Sequence, residues 1–259
     1  METLAARMGT PCAQLRDGIQ LPSPQGYLWM QRCVHNLTPP EAAALSQATG
    51  VDRTVLQATT LSHYDGRAVL IDRPHRGVKA GFPWGWGSGS KYCPACLHDT
   101  QGRWQLRWRL GWSFACPRHH CLLAKLCPSC GKAQRQRPFP GDIVPTPGRC
   151  ATPIHSAETP SIRRCNADLS AVTVARFDED HPLLAAQRTV YDIIDGSRPH
   201  FGVYRHSDYA PVEILNDLCA VAVRVLTYAS DEELAKIVPA DLHSLYLENN
   251  VPSDKRSQS

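Results

Sequence analysis

Eight of the eleven cysteines lie between Cys93 and Cys165, and their spacing is that of metal ligands. Cys93-Pro-Ala-Cys96 and Cys116-Pro-Arg-His119 each hold two donors around a turn of two residues. Two such knuckles bring four soft or borderline donors together tetrahedrally on Zn²⁺, with sulfur at about 2.3 Å and nitrogen at about 2.0 Å. Three thiolates and one imidazole fill that shell and leave no position for a catalytic water, so the chemistry expected of Cys93, Cys96, Cys116 and His119 is structural. Cys127-Pro-Ser-Cys130-Gly131 is a further knuckle, in which Gly131 supplies the left-handed turn away from the metal. Its partners lie downstream. Cys150 and Cys165 are available, but fourteen residues separate them instead of two, so a loop must be inserted inside that knuckle, and His155 and Cys121 are rival ligands. Two structural zinc ions are the expected cofactors.

Other chemistries find little support. Cys-x-x-Cys repeats with an internal Pro, in a chain whose opening METLAARMGT has no apolar run to serve as a signal peptide, favour metal over disulfides and a cytoplasmic location. A zinc deaminase needs His-x-Glu ahead of its Pro-Cys-x-x-Cys, and none precedes Cys93 or Cys127. Hydrolysis through His119 or His120 has no supporting motif, and His120 is most simply a solvated neighbour. Gly81-Phe-Pro-Trp-Gly-Trp-Gly-Ser-Gly-Ser lacks the Gly-Lys-Ser/Thr of a phosphate loop and reads as a linker. Cys12, Cys33 and Cys219 carry no spacing signal. The chain is therefore expected not to be an enzyme.

Charge suggests a binding role. Net charge is only +4, yet Arg73 to Arg137 holds twelve Lys or Arg against one acid, Asp99. Two zinc ions and seven thiolates together would remove only part of that excess, so the region could face phosphates or could simply be a solvated basic face. Within it, Trp104, Leu106, Trp108, Leu110 and Trp112 alternate with Arg103, Gln105, Arg107 and Arg109. Period two predicts a strand with a tryptophan core face and a basic outer face, although Trp104 and Trp108 also suit a helix. Arg103, Arg107 and Arg109 are the candidate contacts to nucleic acid or a partner.

The elements that must position these residues are mainly helical. A chain of 259 residues, 42% hydrophobic and 20% charged, can bury a real core, and no window approaches the roughly 18 apolar residues of a membrane helix. After a lead-in to residue 26, a short amphipathic helix is expected from Tyr27 to the Pro39-Pro40 pair. Thr38 then caps a helix from Pro39 that Gly50 ends, and Asp52 caps a second running to about Thr60. Ala44, Leu45, Ala48, Val51, Val55 and Leu56 are expected to face inward, a helix-turn-helix spacing that a plain αα-hairpin shares. Arg53, Thr54 and Gln57 are all this second helix offers a groove, so scaffolding or protein contact is favoured over base reading. Further on, Asp180 and Pro182 open a helix that Gly196 stops, Pro211 opens a longer one, and Ser230 to Glu233 is a capping box for the next, ended by Pro239. Asp241 to about Glu248 forms one more. The fold class is mainly α with small zinc-ribbon-like β elements, divided as 21–80 (N-terminal, helix-turn-helix-like), 81–175 (tandem zinc motifs) and 176–250 (C-terminal helical domain).

The order Tyr92-Cys-Pro-Ala-Cys96, the Trp/Arg stretch ending at Trp112, Cys116-Pro-Arg-His119 with Leu122-Leu123, Cys127-Pro-Ser-Cys130-Gly131 and Arg164-Cys165-Asn-Ala-Asp-Leu169 resembles the TniQ family. Weaker matches are Leu21-Pro, Tyr27-Leu-Trp-Met-Gln-Arg and Leu184-Ala-Ala-Gln-Arg188. The resemblance implies a transposition protein that helps to choose the target site, joining a DNA-targeting complex or target DNA to the transposon's ATPase and transposase. It implies an N-terminal helix-turn-helix, one three-cysteine-one-histidine site and one four-cysteine site, a helical C-terminal part, and commonly a homodimer. Ligands carry over as Cys93, Cys96, Cys116 and His119, then Cys127, Cys130, Cys150 and Cys165. The chain departs from the pattern in the Ala151 to Arg164 insertion, and in Gln25-Gly-Tyr-Leu where the family has an acidic Glu-Ser-Leu. The runner-up reading is a zinc-containing helix-turn-helix transcriptional regulator; a zinc hydrolase is a third.

Overall fold

The computed structural model describes residues 6–9, 14, 17–18, 32–79, 89–136, 144, 146–154, 163–206 and 208–249. Most of the lead-in, residues 27–31 of the helix expected from Tyr27 to Pro39, the Gly-rich loop over 81–88 and His155 lie outside the described residues; of that expected helix 32–33 are helical, whereas 34–35 form a turn and 36–38 no regular element. The chain forms two compact units, Met1–Ile214 and Leu215–Ser259.

In the first unit, helix α1 spans Pro39–Thr49. Thr38 Oγ1 accepts from the Glu41 amide and Glu41 Oε2 accepts from the Thr38 amide, closing a capping box. At the other end Gly50 takes φ 70°, and its amide donates to the Ser46 carbonyl. Helix α2, Arg53–Ala58, starts at Asp52, whose carboxylate accepts from the Thr54 amide at 2.7 Å. Both helices were thus predicted by their caps. The inward face was not: Leu45 is buried and Ala44 and Leu56 are partly so, but Ala48, Val51 and Val55 are exposed. At six residues α2 has fewer than two turns, and only Leu56 reaches the cluster of Leu37, Ala42 and Leu45. It therefore lies on the surface, with no buried residue of its own.

Strands β1 (Ile71–Asp72) and β2 (Gly77–Val78) pair antiparallel, with Ile71 opposite Val78. The connecting turn ends on Arg76 at φ 52°. This carries the Arg76 guanidinium back to α1, where Nη1 donates to Glu41 Oε1 at 2.9 Å and Nη2 to Glu41 Oε2 at 2.7 Å. Nη2 also donates to the Asn36 carbonyl, and the Arg76 carbonyl is 2.8 Å from His35 Nδ1. The Glu41 and Arg76 side chains are 2% and 13% exposed, so a buried, bidentate ion pair ties the β-hairpin to the helical hairpin.

The next region has little regular structure. It contains helix α3 (Pro94–Asp99) and the antiparallel pairs β3–β4 (Ala115–Cys116 with Cys121–Leu122) and β5–β6 (Pro153–Ile154 with Arg163–Arg164). Strands of two residues cannot cover a core by themselves. Here the core is built of the cysteines with Tyr92, Leu97, Trp108 and Leu169.

The strand expected across the Trp/Arg stretch is absent: Leu106–Arg109 is a 3₁₀ turn between extended Gln105 and Leu110. Side chains take up the carbonyls a strand would offer to a neighbour. Lys91 Nζ donates to the carbonyls of Gly111 and Ser113 at 3.0 and 2.6 Å, and Ser113 Oγ to that of Arg107 at 2.6 Å. Trp108 and Trp112 are buried nonetheless, and the Trp104 and Trp108 rings meet edge to face at 5.6 Å.

Helix α4, Pro182–Ile194, begins at His181, one residue later than Asp180, with Pro182 in its first turn. Sequence grouped α4 with the C-terminal helices, but its fully buried Gln187 reaches into the metal-ligand region. Gln187 Oε1 accepts from the amides of Phe114 (2.6 Å) and Ala115 (2.9 Å), and Nε2 donates to the Trp112 carbonyl (3.2 Å). Helix α5, Pro211–Tyr228, begins in the first unit and continues into the second, followed by α6 (Asp231–Ile237) and α7 (Ala240–Asn249). The Ser230–Glu233 capping box starts α6, as its sequence requires. The described residues are thus helix-rich with small antiparallel strand pairs, and none of their helices is long and apolar enough to cross a membrane.

Candidate metal centre

Two groups of four donors assemble, each with all its ligand atoms within 4.8 Å of one another: Cys93, Cys96, Cys116 and His119, and Cys127, Cys130, Cys150 and Cys165. In the first, Cys93 is the N-cap of α3; its Sγ accepts from the Cys96 amide at 3.4 Å, and Pro94 occupies the first turn. That turn brings Cys96 back beside Cys93. The other two donors come from the β3–β4 hairpin, Cys116 at the end of β3 and His119 in the turn, which His120 completes at φ 52°.

The separations decide whether one ion fits. Metal distances of about 2.3 Å to sulfur and 2.0 Å to nitrogen put tetrahedral edges at about 3.8 Å between sulfurs and about 3.5 Å between sulfur and nitrogen. Cys96 and Cys116 Sγ are 3.7 Å apart, and His119 Nδ1 lies 3.4, 3.2 and 3.6 Å from Cys93, Cys96 and Cys116 Sγ. His119 Nε2 is 3.0 Å from Asp99 Oδ2, which also accepts from Arg118 Nη2 at 3.1 Å. A carboxylate on the outer nitrogen fixes the ring's tautomer and its aim at a metal. Sequence reasoning counted Asp99 only as the lone acid of a basic stretch. Its position three residues after Cys96, on the same face of α3, was the available signal.

In the second cluster Cys127 and Cys165 Sγ are 3.7 Å apart, as are Cys130 and Cys150 Sγ. Gly131, at φ 66°, leaves the first knuckle with its amide donating to the Cys127 carbonyl. The long insertion is bridged by β5–β6. The Cys165 amide donates to the Thr152 carbonyl, Asn166 to Cys150, and Cys150 to Ala167, at 3.0, 2.8 and 2.9 Å. Cys150 and Cys165 therefore flank the base of a hairpin and act as neighbours despite their separation in sequence. Burial pushes the Cys127 thiol up to about 12. At Cys165 burial is outweighed by the Ala167 amide and Ser129, and the thiol falls to about 7. A divalent cation would hold all four as thiolates. Cys121 takes no place here; its Sγ lies 3.7 Å from that of Cys93.

The three arginines do not form one face. Arg103 is exposed, Arg107 lies over the Tyr191 ring at 4.6 Å, and Arg109 Nη2 donates to the Arg135 carbonyl at 3.3 Å. Besides Asp99, sequence reasoning missed the roles of Gln187, noted only as part of Leu184-Ala-Ala-Gln-Arg188, and of Lys91, whose isolated position gave no pattern. Burial, with Lys125 nearby, lowers the Lys91 ammonium to about 8.

No curated protein matches the chain significantly. Residues 2–123 match the TniQ family model, a span that takes in the capped α1 and α2 and all four donors of the first cluster and stops before the second. This match, over a little under half of the chain, supports membership of the TniQ family.

Proposed function

We propose that the chain is a non-enzymatic zinc-binding adaptor in DNA transposition, linking target-site recognition to the transposition machinery. Family membership implies a transposition-related role. The observation that carries the adaptor reading is that both clusters offer four donors at tetrahedral edge spacing, with ligands enough to close each shell. Sulfur-rich tetrahedral sites suit Zn²⁺, which has no redox chemistry and, when enclosed, acts as a scaffold. Expected partners are the transposition ATPase or transposase and a DNA-targeting complex or target DNA, with the chain acting as a homodimer. The test is co-purification of the full chain with the transposon's ATPase and transposase, with and without target DNA. Retention of a transposition protein, lost in a Cys93→Ser/Cys127→Ser variant, is expected; retention of neither protein nor DNA overturns the reading.

The exposure of α2 favours a second reading, a helix-turn-helix regulator that contacts duplex DNA. Arg53 and Thr54 are exposed, but Thr54 Oγ1 is bonded to Asp52, and Gln57 Nε2 donates to the Leu37 carbonyl at 3.4 Å. This reading predicts a discrete duplex site whose affinity falls steeply with salt.

A further inference from the structure

The first cluster has a fifth donor at its edge. Cys121 is cross-strand partner to Cys116 in the β3–β4 pair, and directly opposed residues project to the same face of a ladder. The hairpin that delivers Cys116 to the cluster thus delivers Cys121 with it. The Cys121 thiol is 1% exposed, and its Sγ stands 3.7 Å from Cys93 Sγ, the same separation as between Cys96 and Cys116. That is the edge length expected of two sulfurs sharing one tetrahedral metal. Cys121 nevertheless lies outside the group of four. A change of χ1 between staggered wells carries a cysteine sulfur by about 3 Å, enough to exchange a neighbouring position for one on the metal.

The donor it would replace is His119. Cys93, Cys96 and Cys116 are buried, whereas the His119 side chain is 16% exposed and is held from outside by Asp99, itself 34% exposed. Of the four donors, the imidazole is the one solvent reaches.

We propose that Cys121 is a reserve ligand of the first site, taking the fourth coordination position when His119 leaves it. In the exchange the metal–nitrogen bond to His119 breaks, the Cys121 thiol gives its proton to solvent, and a metal–sulfur bond forms. No electron is transferred, and the metal with its donors becomes more negative by one charge. A site able to exchange ligands in this way keeps its metal, and the knuckles their fold, while His119 is drawn out toward the surface.

This inference rests on the reading that the first cluster binds metal. The experiment therefore measures metal per chain and the Co²⁺ spectrum of the full chain, with Cys121→Ser, His119→Gln and His119→Gln/Cys121→Ser variants. Parent and Cys121→Ser are expected to hold two ions. His119→Gln is expected to keep two, with its sulfur-to-cobalt charge-transfer intensity raised by about one seventh, eight thiolates replacing seven. The double variant is expected to fall to one. An ion lost in His119→Gln alone overturns the proposal, and so does an ion retained there at unchanged intensity, which would mean that water fills the position. Should the double variant fail to fold, the His119→Gln spectrum still decides. Metal content unchanged by Cys93→Ser/Cys96→Ser, which leaves too few donors even with Cys121, defeats the metal reading itself, a result distinct from failure of Cys121.

Discussion

Replacing Arg76 by Met leaves the Glu41 carboxylate 2% exposed, with the Thr38 amide as its remaining hydrogen-bond donor. Two guanidinium bonds at 2.7 and 2.9 Å disappear, and the Asn36 carbonyl loses its donor at 2.9 Å. Breaking a buried ion pair from one side typically costs about 3–5 kcal/mol, because the surviving charge is desolvated without a counter-ion. Removing both charges with Glu41→Leu/Arg76→Met abolishes that penalty but also removes half of the capping box, a loss of about 1 kcal/mol. The double variant should therefore be more stable than Arg76→Met alone. Amide exchange of α1 in the full chain reads this locally: a loss of 3–5 kcal/mol corresponds to roughly 10²- to 10⁴-fold faster exchange. A cost under about 1 kcal/mol for Arg76→Met, or a double variant no better than the single, would refute the claim that this pair joins the two hairpins.

Asp99→Asn should weaken metal binding at the first site by about 10- to 100-fold and leave the second unchanged, as read by chelator competition. Burial is the main force holding the His35 imidazole below its ordinary 6.5, with Arg109 and Arg76 adding to it against its bond to the Arg76 carbonyl. The unfolded chain thus takes up that proton first, and stability present above pH 6.5 falls as pH drops below it. Denaturant melts at pH 7.5 and 5.5 should show a smaller difference in a His35→Gln variant than in the parent. Gly102 sits at φ 84°, and an added Cβ would lie 2.4 Å from the Gly148 nitrogen and the Pro147 carbonyl carbon, so Gly102→Ala must push apart two backbones close to Cys150. A loss of more than about 1 kcal/mol in thermal unfolding is expected, with easier removal of metal from the second site.

Local signals in the sequence identified the parts of this structure that are decided locally. Thr38 with Glu41, Asp52, Gly50 and Ser230 with Glu233 each act on amides within four residues, and their caps form where the pattern put them. The donor knuckles were visible for the same reason. What escaped depends on groups distant in the chain. Period two in the Trp/Arg stretch correctly marked the buried tryptophans but not the backbone, which forms a 3₁₀ turn whose Arg107 carbonyl accepts from Ser113 Oγ. Val51 and Val55 looked inward-facing because a six-residue helix carries too short a period to show which side has something to pack against. The 35-residue separation of Glu41 from Arg76, and of more than 70 between Gln187 and Phe114, leave no periodic trace. The stretched Cys150–Cys165 knuckle looked like a defect only until the hairpin pairing brought its ends together.

The central claim is that the chain is built around two separate four-donor metal sites. It is tested most directly by metal per chain on the purified protein, measured by elemental analysis with Cys127→Ser and Cys150→Ser beside the parent. The account predicts two zinc ions in the parent and one in each variant. One ion in the parent, unchanged in both variants, would contradict it.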